Sequence, residues 1–168
     1  IVFGDWSSDV CSSDLGMLPL FTAPMDTVTD LEHRHFFSAN HIYPVIPRTQ
    51  TRSFGMEECL RVGGWIALSL DQFDRIFSND SIPAGNEPVT ICIDIANGHM
   101  KRLRDTVKTA KARHGGRLLL MVGNVAHPGT FLELSEAGAD FVRVGVGNGS
   151  GCSRSEEHTS ELQSPNTI

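Results

Sequence analysis

Short apolar runs alternate with helical patterns through the middle of this 168-residue chain. Strand candidates are LPLFTAP (18–24), HIYPVI (41–46), GWIALSL (64–70), VTICIDI (89–95), RLLLMVGNV (117–125) and FVRVGV (141–146). Most are apolar on both faces, as strands buried inside a parallel sheet must be. The clearest helical pattern covers 99–114, where Met100, Leu103, Val107 and Ala110 recur at spacings of three and four. Lys and Arg fill its other positions, which suits a solvated outer face. A second helix opens at Pro128, a good first-turn residue, and ends near Gly138, a good C-terminal cap. Segments 30–40 and 54–62 supply a third and a fourth.

Repeated strand–helix units imply a parallel sheet with right-handed crossovers. Two α/β architectures fit, an open doubly wound sheet and part of an eight-stranded barrel. Asp26, Asp94, Asn97, Asn124 and the loop 147–152 all fall at or just after strand C-termini. Both folds place their sites there, but a barrel draws on nearly every strand end. At least four of the six strand ends contribute here, which favours a partial (β/α)8 TIM barrel.

The two chain ends read differently. IVFGDWSSDVCSSDL (1–15) and RSEEHTSELQSPNTI (154–168) lack apolar residues at helix or strand spacing and are dense in Ser, Asp and Glu. Such composition usually marks disordered termini. A sharper reading comes from the codons. One DNA strand can encode 154–164, and its complement, shifted by one base, encodes 5–15; that duplex looks like a sequencing-library adapter. Segments 1–15 and 154–168 are therefore expected to be artefactual tails around a domain at 16–153.

The tails account for most of the charge. The chain carries 20 acidic and 14 basic residues, net −6; six acidic and one basic residue lie in 5–15 and 154–164, leaving 14 against 13, or −1. Such a near-neutral domain has no basic field suited to nucleic acid. No apolar run is long enough to span a membrane and no secretory signal is visible. Cys11 falls in a tail, and Cys59, Cys92 and Cys152 have wide, unrelated spacings, so neither a disulfide framework nor a zinc site is expected. A reducing, cytoplasmic setting follows.

Candidate chemistry centres on VGVGNGSGC (144–152). Gly145, Gly147, Gly149 and Gly151 alternate, permitting positive φ and close backbone approach. Exposed N–H groups after a strand make a phosphate cradle, although a merely flexible loop explains the composition equally well. Cys152 ends this loop beside Gly and Ser; it is either an activated nucleophile or a structural cysteine. Cys92 and Cys59 read as core. Asp94 could accept hydrogen bonds from ribose hydroxyls or cap the next helix, and Asn124 shares that ambiguity. His99 and His127 start helices without an acid or metal partner at recognisable spacing, so no catalytic role is assigned to them.

Together PLFTAPMDTVT (19–29), ICIDIANGH (91–99) and LMVGNVAHPGTFLELSEAGADFVRVGVGNGSGC (120–152) resemble the IMP dehydrogenase/GMP reductase family. The resemblance covers almost all of 16–153 and implies a (β/α)8 barrel, with this chain supplying strands one to six of eight. It implies that Cys152 is the nucleophile that attacks C2 of the purine and forms a covalent intermediate, with hydride passing between C2 and NADPH or NAD. It places Gly149, Ser150 and Gly151 in the loop holding the nucleotide phosphate, and Ala23, Met25 and Asn124 beside the purine nucleotide. Asp94, Ala96, Asn97 and Gly123 fall to the nicotinamide cofactor, and the full-length protein is implied to be a homo-oligomer. Two departures stand out: Asn148 occupies a position where the family has proline, serine or glycine, and Arg154 stands where it has a threonine that takes part in the chemistry.

Within the family, only 17 residues (47–63) separate the second and third strand candidates, where many dehydrogenases carry a regulatory insertion. That spacing and IDIANG point to a reductase, converting GMP to IMP and ammonia. APMDTVT is more like the dehydrogenase, which converts IMP to XMP. A non-catalytic nucleotide-binding barrel is the alternative of another class. An open nicotinamide-binding sheet would need a glycine loop after the first strand, and APMDTVTD contains no glycine.

Overall fold

A computed structural model describes residues 2–4, 20–77 and 88–145. Five parallel strands form its centre: β2 (Val45–Ile46), β3 (Trp65–Leu68), β4 (Val89–Asp94), β5 (Leu118–Val125) and β6 (Phe141–Val144), hydrogen-bonded in chain order. A sixth parallel segment flanks β2, where Phe21 bridges Tyr43. The first strand candidate thus shortens to a bridge, closed by Tyr43 N–H donating to Leu20 O and Thr22 N–H to Tyr43 O. β1 (Val2–Gly4), which the sequence reading assigns to the amino-terminal tail, pairs antiparallel with β6. An edge strand offers a row of unpaired N–H and C=O groups, so an extended segment of almost any composition can pair there.

Side chains alternate between two cores. Ile66, Leu68, Ile91, Ile93, Leu120, Val122 and Val142 face outward and are buried against the helices. Val45, Trp65, Ala67, Cys92 and Met121 face inward with Phe21, Tyr43, Leu119 and Phe141 packed on them. This inner cluster decides between the two architectures. In a flat sheet the Phe21 segment and β6 would lie five strand spacings apart, about 24 Å. Instead the Phe21 and Phe141 ring centroids are 5.5 Å apart, and both rings pack on Trp65, at 5.5 and 5.3 Å. The sheet has curled until its first and last parallel members meet, as in part of a (β/α)8 barrel.

The outer layer follows the apolar stripes. The helices are α1 (Arg34–Ala39), α2 (Arg48–Phe54), α3 (Met56–Val62), α4 (Leu70–Phe77), α5 (Lys101–His114) and α6 (Pro128–Glu136). Helix α5 buries Leu103, Val107 and Ala110, and its last turn carries Lys111, Arg113 and His114 where the helix dipole favours cations. Pro128 occupies the first turn of α6, and the His127 ring caps it by accepting from Gly129 N–H at 3.0 Å. Two helices were not anticipated from the pattern. The run GWIALSL ends as a strand at Leu68, and Ser69 instead begins α4 through a capping box: Ser69 Oγ accepts from Gln72 N–H and Gln72 Oε1 from Ser69 N–H. Helix α2 is anchored to the first strand end, where Thr49 Oγ1 donates to Asp26 at 2.5 Å. Among the described residues, no helix is long and apolar enough to cross a membrane.

Candidate active site at the C-terminal ends of the strands

Because the strands are parallel, their C-terminal ends share one rim, and those candidate residues that are described gather on it. Asp94 ends β4, Gly123 lies opposite it on β5, and Arg143 opposite Gly123 on β6. This row points into the barrel, one layer beyond Cys92, Met121 and Phe141. Arg143 Nη1 reaches across the side-chain-free Gly123 to donate to Asp94 Oδ1 at 2.5 Å, and it lies 3.7 Å from Cys92 Sγ. Asp94 is 2% exposed, and the Arg143 side chain 14%. Burial pushes the Arg143 pKa down, but the neighbouring Cys92 and Asp94 groups outweigh it and raise the pKa, so the guanidinium stays charged. A buried pair of this kind is held in place by its geometry, since either partner alone would be an uncompensated charge.

The absence of a side chain at residue 123 is what lets the pair form. Gly123 has φ +144°, and a Cβ there would lie 2.6 Å from Arg143 O and 2.8 Å from Arg143 Cβ. Gly98 is equally confined: its Cβ would lie 2.6 Å from both Asn124 O and Val125 Cγ1.

Backbone bonds lace the turn after β4 to the end of β5. Ile95 N–H donates to Gly123 O, Asn124 N–H to Ile95 O, and Gly98 N–H to Asn124 O. The Asn124 side chain then donates through Nδ2 to Gly145 O at 2.7 Å, and Gly145 N–H donates to Val125 O. Asn124 therefore holds the residue from which the glycine loop departs. Asn97 is exposed and its Oδ1 accepts from His99 N–H, while Ala96 is half-buried beside it. At the first strand end Thr22 Oγ1 accepts from Val45 N–H, and the chain turns through Ala23 and an exposed Met25, whose carbonyl accepts from Val28 and Thr29 N–H.

The structure thus assembles Asp94, Ala96, Asn97, Gly123 and Asn124 into one laced unit, with Ala23 and Met25 on the same rim. Gly149, Ser150, Gly151 and Cys152 lie outside the described residues. Cys59 and Cys92 are fully buried, as their apolar settings lead one to expect, and burial is the largest influence raising the Cys59 thiol pKa. Arg143 is the site residue that sequence reasoning missed. Its signal was available: a lone charge at an inward position of the apolar strand FVRV. A separate groove of about 530 Å³ between α4 and α5, lined by Phe73, Asp74, Phe77, Arg102, Thr106 and Arg113 among others, lies on the helical exterior and contains none of these residues.

Comparison with known proteins fits this geometry. A family model described as the IMP dehydrogenase / GMP reductase domain matches residues 8–159. GMP reductase from Paracidovorax citrulli is 32% identical over 141 residues, 80% of this chain and 42% of that protein. Inosine-5'-monophosphate dehydrogenase from Aquifex aeolicus is 40% identical over 93 residues, 55% of this chain and 18% of that protein. In structure, inosine 5' monophosphate dehydrogenase from Legionella pneumophila superposes with a TM-score of 0.63 at 28% identity, covering 85% of this chain and 44% of that one. The chain spans less than half the length of these relatives. With a curled parallel sheet, a glycine-and-asparagine rim and a family match over most of its length, the chain belongs to the IMP dehydrogenase/GMP reductase family of oxidoreductases, whose members bind purine nucleotides.

Proposed function

We propose that the rim is the purine and cofactor site of a purine-nucleotide oxidoreductase, working in the GMP reductase direction: GMP and NADPH to IMP, ammonia and NADP. The observation that carries this is the laced unit of Asp94, Gly123, Asn124 and Gly145, which fixes the residue before the glycine loop at the strand-end face where a barrel enzyme does its chemistry. In this reading the Cys152 thiolate adds to C2 of GMP, and the 2-amino group leaves as ammonia after protonation. A thioether-linked purine remains on the enzyme. When bound, the nicotinamide cofactor supplies the hydride that C2 then takes up, and the departing thiolate regenerates the enzyme. Gly149, Ser150 and Gly151 hold the phosphate through backbone N–H groups and the serine hydroxyl, while Ala23, Met25 and Asn124 border the purine. Ala96 and Asn97 flank the cofactor, while buried Gly123 gives Arg143 room to reach Asp94, which acts as half of an ion pair rather than as an isolated carboxylate.

The direction rests on the 17-residue connection and on coverage. The GMP reductases match about 140 residues of this chain, against 93 for the dehydrogenases. APMDTVT and the Legionella structure favour the second reading, IMP to XMP with NAD. A protein continued in frame past Ser153 separates them: GMP-dependent oxidation of NADPH with release of ammonia supports the reductase, IMP-dependent reduction of NAD the dehydrogenase. Nucleotide binding with neither reaction would leave a non-catalytic barrel.

For the chain as it stands we propose a cytoplasmic fragment, domain 16–153 between artefactual tails, that forms its site without turning over. Leu20 is 53% exposed on the outer flank of the first strand, which makes such a piece prone to association. Soluble monomer with measurable turnover would overturn that part.

A further inference from the structure

His99 has no role in the chemistry above, yet it makes two long-range contacts at the rim. Its Nε2 accepts from Ala126 N–H at 3.2 Å, and its Nδ1 lies 2.7 Å from Thr130 Oγ1. Ala126 N–H can only donate, so Nε2 must carry the lone pair; the ring hydrogen then sits on Nδ1 and is donated to Thr130. These contacts span 27 and 31 residues and cross from the turn after β4 to Ala126, between β5 and α6, and to Thr130 in the first turn of α6. They continue the lacing already made by Gly98 N–H to Asn124 O, from just beyond Val125.

We infer that His99 is a positioning residue: it clamps the Ala96–Asn97 turn against the Asn124–Ala126 segment, and so fixes the cofactor-facing and purine-facing parts of the site relative to each other. The inference rests on the proposed function for what is positioned, though not for the contacts themselves. Its effect runs through a single acceptor. Without that acceptor, Ala126 N–H loses its partner and the end of β5, with Asn124 and its hold on Gly145, is freer to shift.

Side-chain geometry allows the two contacts to be separated. In His99→Gln, Oε1 takes the place of Nε2 and can accept from Ala126. In His99→Asn, Nδ2 takes the place of Nδ1 and can reach only Thr130. Affinity for GMP and for NADPH, measured by titration calorimetry on this chain well below its melting temperature, is expected to fall about fivefold in His99→Asn and His99→Ala, as one lost hydrogen bond implies. His99→Gln is expected to stay within about twofold of the parent. Equal affinity in all three variants, or equal loss in all three, would overturn the positioning role. Independently, the long-range nitrogen–proton spectrum of the His99 ring should show hydrogen on Nδ1 and a bare Nε2; hydrogen on Nε2 would overturn the clamp itself. A parent chain that binds neither probe removes the functional reading, and the positioning role with it, while a Nδ1–H signal would still stand for the contact.

Discussion

Replacing Gly123 with alanine tests whether the row Asp94–Gly123–Arg143 is built as described. The new Cβ would lie 2.6 Å from the Arg143 carbonyl oxygen and 2.8 Å from Arg143 Cβ, at φ +144°. Neither neighbour can yield easily. One is backbone paired within the sheet, and the other is the root of a side chain whose far end is fixed to Asp94. Holding a non-glycine residue in such a conformation costs about 1–3 kcal/mol, and overpacking a buried site costs about 1–3 kcal/mol more. The sum, about 2–6 kcal/mol, is a large share of the roughly 5–15 kcal/mol that stabilises an ordinary domain. With a urea slope of about 2 kcal/mol per molar, the middle of the usual range, the unfolding midpoint should drop by about 1–3 M. Gly116→Ala is the control, because a Cβ there meets nothing within 4 Å and φ is not in the left-handed range; it should be neutral or slightly stabilising. A Gly123→Ala midpoint within about 0.3 M of the parent would show that Arg143 does not cross the strand at this point.

Three further outcomes are expected. Arg143→Met strands the buried Asp94 carboxylate and should cost about 3–5 kcal/mol in urea unfolding, with Asp94→Asn added to it recovering part of the loss. Ser69→Ala breaks the α4 capping box and should cost about 1 kcal/mol in the same assay. His33, hydrogen-bonded to the Asp30 carboxylate, should titrate above the ordinary histidine value, and Asp30→Asn should bring it back down. The hydrogen bonds from His33, backbone first, hold Asp30 below the ordinary carboxylate value. The contribution of this contact is therefore present between the two shifted values. It fades as pH rises through the His33 value in the folded protein, and again as pH falls through that of Asp30. A two-dimensional NMR titration reads both ends.

Much of the fold was legible because buried parallel strands announce themselves as two-faced apolar runs; five of the six candidate runs form ladder strands. The open-sheet alternative could not be dismissed on pattern, since both architectures share it. What separates them is a contact between Phe21 and Phe141, 120 residues apart in the chain. Helix α4 was legible in principle, through Ser69, Gln72 and the stripe Leu70, Phe73, Phe77, but the apolar GWIALSL run concealed where the strand stops. The rim glycines and asparagines stood out by type and position. Arg143 stood out only as a lone charge in an apolar strand and His99 not at all, because their partners lie 49 and 27 residues away. Local spacing does not say which partner such a residue meets.

The reactivity of Cys152 tests the central claim most directly. With Cys11 replaced by serine, and with Cys59 and Cys92 fully buried, alkylation by iodoacetamide can be followed at Cys152 by peptide mass spectrometry, with and without GMP. A purine site at the strand ends requires Cys152 to react faster than the two buried thiols and to be slowed by saturating GMP. A rate at Cys152 that GMP leaves unchanged would contradict it.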